Sequence, residues 1–224
     1  MTTTENPALA IMGLTKRFGT TTLWSALTFD ASPGTLTAVS GPSGAGKTTL
    51  LNCVGLLEDF DEGTVSYGAR IFAPGYLRTS RKQQRLCLRD TVGFLFQNYG
   101  LVEQWNVLRN LQVPLGISDR KHRDQWGERV RMVLARVGMT GSEKSMIYTL
   151  SGGEQQRIAM ARLLLKQPSV VLADEPTSAL DRDNSDMVFD GLSALAENGA
   201  AVIISTHSDG LRNRCSSTVE IGVR

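Results

Sequence analysis

Cysteine is scarce in this chain: Cys53, Cys87 and Cys215 are the only three in 224 residues, and no Cys-x-x-Cys spacing occurs. An odd number of widely spaced thiols excludes a disulfide framework and a thiolate zinc site, and fits reduced thiols in the cytosol. Long apolar runs are missing as well. Stretches such as Ala200-Ala201-Val202-Ile203-Ile204 fall far short of the ~20 residues that cross a bilayer. The start, MTTTENPALAIM, lacks the basic-then-apolar order of a signal peptide. Charge of one sign is lacking too, with 24 Lys and Arg against 22 Asp and Glu and a net +2, so no acidic tail or polyanion-binding surface is indicated. The cluster Arg78, Arg81, Lys82, Arg85 and Arg89 reads as the solvated face of a helix or loop.

What is present is an ordinary globular composition, 41% hydrophobic and 21% charged, long enough to bury a core without disulfides or metal. No repeat or linker divides it, so residues 1–224 are expected to form one domain. Strands and helices alternate. Leu36–Ser40 is a short apolar strand entering a glycine-rich turn, and Lys47–Leu57 is predicted as the helix that follows. Val92–Phe96 is another apolar run, ending at Gln97. From about 98 to 166 the chain becomes mostly helical, with Trp126, Val130, Val133, Leu134 and Val137 at helical spacing in Arg123–Val137 and Gly138 to close it. A second strong helix starts at Ser151 and stops before Pro168. Buried-looking strands Val170–Ala173 and Ala201–Ser205 flank an amphipathic helix over Asp183–Glu197, closed by Asn198-Gly199. Continuous apolar strands separated by helices imply an α/β fold with a mainly parallel sheet covered on both faces. The helical residues 98–166 would be a subdomain inserted between core segments 1–97 and 167–224.

Two patterns carry chemistry on physical grounds. Gly41-Pro42-Ser43-Gly44-Ala45-Gly46-Lys47-Thr48 satisfies the phosphate-binding pattern GxxxxGK[ST] in its required context, strand before and helix after. Glycines let the backbone wrap round an anion so that successive N–H groups and the helix N-terminus face it. Lys47 can reach β- and γ-phosphates, and the Thr48 hydroxyl, followed by Thr49, can bind Mg²⁺. The second pattern is Val170-Val171-Leu172-Ala173-Asp174-Glu175, an apolar strand ending in two acids where α/β sheets place their ligands. Asp174 would hold Mg²⁺, and Glu175 could accept a proton from an attacking water. Pro176 predicts extended backbone at Glu175. The adjacent acid separates this site from GTPases that orient water with a glutamine elsewhere.

A third segment, Leu150-Ser151-Gly152-Gly153-Glu154-Gln155-Gln156-Arg157, contains S-x-x-E, a helix capping box. That leaves two glycines in a first helical turn unexplained unless something approaches closely, and an anion docking on the helix terminus would supply the reason. With these residues the chain resembles the ABC ATPases, whose LSGGQ signature stands here as LSGGE-Q. The resemblance runs in order through Phe18 before Gly19, the P-loop, Gln97, the signature, Asp174-Glu175, Ser178-Ala179-Leu180-Asp181 and His207.

The resemblance implies a P-loop NTPase fold with N-terminal antiparallel strands. Phe18 would stack on adenine, in a place where a tyrosine is usual. Gln97 would touch Mg²⁺ or water and sense a membrane partner. The Ser151–Gly153 turn, with Glu154, would meet the γ-phosphate held by an opposite subunit. Asp181 would communicate across that interface, and His207 would contact the γ-phosphate beside Glu175. On the residues alone, a phenylalanine such as Phe18 is more often core than a base stack, Asp181 can simply cap a helix, and His207 can be a plain strand end.

Glu154 in place of the glutamine is familiar in the branch handling lipoprotein release, macrolide efflux and peptide export. Gly93–Glu103, Gly55–Glu58 and Tyr148–Ser151 are similar to ATPases of lactococcin-type bacteriocin export. The function so implied is a cytosolic ATP hydrolase, peripheral on the inner face of the membrane. It would form a head-to-tail homodimer around two ATP and Mg²⁺ and power export of a peptide, lipoprotein or small amphiphile through a separate permease, with no nucleic-acid partner. A non-transport ABC ATPase acting on a membrane-anchored cell-wall or division complex is the alternative.

Overall fold

Runs of β-branched and aliphatic residues too short for helices assemble into five parallel strands. These are β3 (Leu36–Ser40), β6 (Val92–Leu95), β7 (Val170–Asp174), β8 (Ala201–Thr206) and β9 (Ser217–Glu220), ordered β6-β7-β8-β3-β9. The computed structural model describes residues 7–118, 126–178 and 181–222. A second, antiparallel sheet of order β2-β1-β4-β5 is built from β1 (Leu9–Phe18), β2 (Thr21–Ala31), β4 (Glu62–Tyr67) and β5 (Arg70–Phe72). The central strands β7 and β8 are buried on both faces because both faces are covered, whereas the edge strand β9 is polar and mostly exposed. Alternation along β7 shows it: Val170 and Leu172 join one buried cluster, with the antiparallel sheet and helix α1 (Lys47–Val54), whereas Val171 and Ala173 join the other.

That other cluster contains the helical stretch. It includes α4 (Val107–Ser118), α5 (Trp126–Arg136), a 3₁₀ turn at Ile147–Thr149 and α6 (Gly152–Lys166), packed with α7 (Arg182–Glu197). The predicted helix start at 123–125 lies outside the described residues, as do Ala179 and Leu180 of the Ser178–Asp181 segment and the first six residues. Short helices α2 (Tyr76–Thr79) and α3 (Arg81–Asp90) carry the basic cluster, and α8 (Asp209–Arg212) precedes β9. Among the described residues no helix is long and apolar enough to cross a membrane.

Helix α1 ends at Val54, three residues before the predicted Leu57, and the reason is local. Leu56 adopts φ +62°, and the N–H groups of Leu57 and Glu58 both turn back to the Asn52 carbonyl. Gly55 is required there, since a Cβ would fall 2.0 Å from the Phe94 ring and 2.8 Å from the Leu51 carbonyl. β6 likewise stops at Leu95, one residue early. β7 and β8 each run one residue further than predicted, which brings Asp174 and Thr206 into the sheet.

Candidate active site

The P-loop leaves the C-terminal end of β3 and closes onto α1 at Lys47. Gly44 and Gly46 sit at φ +81° and +87°, a region costly for residues with a Cβ. Gly41 has a different constraint: a Cβ there would lie 2.4 Å from the Ile221 carbonyl oxygen. A Cβ at Gly46 would meet Leu23 at 2.9 Å and the Trp24 indole nitrogen at 3.0 Å, so the β1–β2 hairpin forms the loop's outer wall. No side chain caps α1, so its first N–H groups are available to an anion. Pro42, Ser43 and Thr48 are exposed at the turn, with Ala45 and Thr49 half-buried behind it.

The buried Lys47 ammonium donates to the carbonyls of Gly41 at 2.8 Å and Pro42 at 3.3 Å, and stands 3.8 Å from the Glu175 carboxylate. The other Glu175 oxygen is 2.9 Å from His207 Nδ1. With a carboxylate as acceptor, Nδ1 carries the proton and Nε2 is the ring nitrogen not engaged by Glu175. Glu175 is largely buried and His207 largely exposed (14% and 64% of their side chains accessible), so the imidazole is the outer member.

Ser205, which the sequence marks only as the polar end of a strand, binds both acids. Its hydroxyl donates to Asp174 Oδ1 at 2.6 Å and accepts the Glu175 N–H at 3.0 Å, while its carbonyl takes the same N–H at 3.2 Å. The parallel register that sets Asp174 opposite Ser205 is what brings it there. Only the pairing of β7 with β8 could have revealed it. The extended backbone predicted at Glu175 is not found: its φ is +44°. The bonds from Ser205 and the reverse bond from the Ser178 N–H to the Glu175 carbonyl turn the chain out of the strand despite Pro176. Such strain concentrates at functional sites.

Among the described residues no hydrogen bond or ion pair links the remaining predicted residues to this group. Phe18, half-exposed at the end of β1, has the Lys16 ammonium 4.8 Å from its ring centroid. Gln97 is exposed in the turn after β6. The capping box is realised in full: Ser151 N–H and Oγ–H both donate to Glu154 Oε2 at 2.8 Å, and the Glu154 N–H returns to Ser151 Oγ at 3.4 Å. The Ser151 N–H, and then its hydroxyl, hold the Glu154 carboxyl below its ordinary range. The two glycines have neighbours within the chain: a Cβ at Gly152 would lie 2.8 Å from the Tyr99 hydroxyl, and one at Gly153 would lie 3.2 Å from the Asn184 amide. Asp181 caps α7, accepting from the Asn184 N–H and side-chain amide, each at 2.8 Å. Among the described residues no hydrogen bond or ion pair joins the Ser151–Glu154 turn to the P-loop.

Comparison with known proteins agrees with this geometry. Residues 24–178 match the family model described as ABC transporter. The chain belongs to the ABC-transporter family. The lipoprotein-releasing system ATP-binding protein LolD of Gluconobacter oxydans is 41% identical over 222 residues, spanning 96% of this chain and 93% of the relative. The L-cystine transport system ATP-binding protein TcyN of Escherichia coli is 38% identical over 200 residues, 89% and 80% of the two chains. Among solved structures, the dimeric post-hydrolysis state of the ATP-binding cassette MJ0796 bound to ADP and Pi superposes with a TM-score of 0.84 at 27% identity, covering 95% of this chain and 94% of that one. This ABC cassette is thus an ATP-binding, ATP-hydrolysing subunit that powers transport through a separate permease.

The family implies a magnesium ion, and the donors present suit it. No cluster of three or more His, Cys, Asp or Glu that could form a protein cage occurs among the described residues. Mg²⁺ bound with a nucleotide needs only one or two protein oxygens beside phosphates and water. Thr48 at the start of α1 and the buried Asp174, one oxygen already held by Ser205, provide that number.

Proposed function

We propose that two copies of this chain close head to tail around two Mg²⁺-bound ATP molecules, each site combining one subunit's P-loop with the other's Ser151–Gly153 turn and Glu154. Within a subunit, residues 41–49 cradle the phosphates and Lys47 moves from its own loop carbonyls to the β- and γ-oxygens. Thr48, Asp174 and Gln97 would hold the metal, which when bound would supply positive charge beside the phosphates. Phe18 stacks on the base. Glu175 accepts the proton of the attacking water, while His207, bonded to it through Nδ1, presents its other ring nitrogen to the γ-phosphate. Asp181 carries the state of one site to the other.

The helical stretch 98–166 acts as the arm that moves a membrane permease, which holds the subunit on the inner face of the membrane. The cargo is a peptide, lipoprotein or small amphiphile moved outward. The names of LolD and of the macrolide export ATP-binding/permease protein MacB of Rhodopseudomonas palustris, 36% identical over 189 residues that span 84% of this chain and 28% of that protein, support that class. The observation that carries the mechanism is the Lys47–Glu175–His207 line, with contacts of 3.8 and 2.9 Å at the C-terminal edge of the parallel sheet.

The test is Glu175→Gln, which keeps shape and removes the base. Phosphate release should fall by about 100-fold or more, with ATP binding retained and an ATP-dependent dimer in gel filtration. Phosphate release at the parent rate would overturn the assignment of the base.

A further inference from the structure

The turn carrying Gln97 is strained and held from behind. Tyr99, not a glycine, sits at φ +64°, and Gly100 follows at +57°. The carbonyls of both accept from one guanidinium: Arg162 Nη2 donates to Tyr99 at 3.0 Å and Nη1 to Gly100 at 2.6 Å. Arg162 lies on α6, the helix that begins at Gly152. The Tyr99 side chain then reaches the start of that same helix, because a Cβ on Gly152 would come within 2.8 Å of its hydroxyl and 3.8 Å of its ring carbon Cζ. Gly152 is not in the left-handed region, so its backbone would accept alanine; the phenol is what the added carbon would strike. The Gln97 turn is therefore bonded to α6 through Arg162 and lies close against it again at Gly152, ten residues earlier and about 15 Å along the helix.

We propose that Tyr99 is a positioning residue which, gripped by Arg162, sets where the Ser151–Gly153 turn stands relative to Gln97. This rests on the reading that Gln97 serves the subunit's own nucleotide and the Ser151 turn the partner's. It adds a mechanical link between those half-sites inside one chain. Gly152 is a glycine because the phenol occupies the space, in addition to anything that approaches from outside.

Gly152→Ala, Tyr99→Phe and the double variant, each in the Glu175→Gln background, test the link at saturating ATP. The dimer constant comes from sedimentation equilibrium, and the monomer's nucleotide affinity from a fluorescent ATP analogue. Gly152→Ala should weaken the dimer about tenfold through the forced overlap. Tyr99→Phe alone should stay within about threefold of its parent, and the double variant should return to that level because only Cζ remains near the new carbon. Monomer affinity should not change in any of them, which a general loss of structure would not produce. Arg162→Lys keeps the charge but loses the two-pronged grip, and should weaken the dimer with unchanged monomer affinity.

A double variant as weak as Gly152→Ala, or Arg162→Lys with the parent's dimer constant, overturns the proposal while leaving the shared-site dimer standing. Failure of the Glu175→Gln parent itself to dimerise overturns both.

Discussion

Two helices in this cassette begin at glycine-rich turns, and they begin in opposite ways. At α1 the residue before the helix is Gly46 in the left-handed region, and no side chain caps the N–H groups. At α6 the corresponding residue is Ser151 in extended conformation, and Ser151 with Glu154 forms a complete capping box. The first end offers bare backbone donors to an anion held by the same chain. The second has satisfied part of its own demand, and Glu154 already engages the Ser151 hydroxyl. Local sequence therefore leaves one helix start with open backbone donors and gives the other its own cap; on the proposed function the first holds the subunit's own phosphates and the second serves only with a partner.

The contrast can be broken most forcefully at Lys47. Lys47→Met removes the one cation buried in the P-loop, and ATP affinity should drop by about 100-fold, in line with ~3 kcal/mol for a charge-assisted contact. Titration calorimetry would measure it, and affinity within a fewfold of the parent would show that the backbone alone suffices. Next comes Gly46→Ala. Its φ of +87° and the 2.9 and 3.0 Å approaches to Leu23 and Trp24 predict a loss of about 1–3 kcal/mol in urea unfolding, together with weaker nucleotide binding.

Gly153→Ala should separate stability from function at the other turn. Its φ is outside the left-handed region and Asn184 is the neighbour that must give, so stability should move by about 0.5 kcal/mol or less. In the Glu175→Gln background the ATP-induced dimer should nevertheless weaken markedly in gel filtration. An unaffected dimer would mean that this turn is only a helix start.

The smallest effect concerns pH. The Glu154 carboxyl is held below its ordinary range in the folded chain by the Ser151 N–H and hydroxyl. The unfolded chain therefore binds the proton first as pH falls, and the cap's contribution is present above the unfolded value near 4.5. It is lost as pH falls through the lower folded value. Glu154→Gln should then be less stable than the parent near neutrality by well under ~1 kcal/mol. That gap should close in acid, as thermal melts at pH 7 and pH 3 would show; a constant gap would rule out the carboxylate as its source.

Legibility followed the range of the interactions involved. The P-loop, β3, the capping box and the acid pair are written in contiguous residues, and the structure places them at or within a residue of the predicted bounds. The early end of α1 was not readable, because it depends on the Phe94 ring lying where Gly55 must be bare. Pro176 predicts extended backbone at Glu175, and the structure has φ +44° there. A proline rule acts on one neighbour, whereas Ser205, 30 positions away in the chain, fixes the opposite conformation. Arg162, 62 and 63 positions from the carbonyls it binds, left no local mark at all.

What the sequence by itself determined is the chemistry on offer: a cradle of backbone N–H groups, a cation within it, and two carboxylates at a strand end. Each follows from residue types whose conformational and acid–base character acts over a few positions. Tertiary structure decided how those groups are aimed. Parallel pairing set Asp174 against Ser205 and brought Glu175 between Lys47 and His207, while α6 took hold of the Gln97 turn through Arg162. These alignments depend on register and packing between segments distant in the chain, and burial fixes that register only once the sheet has closed.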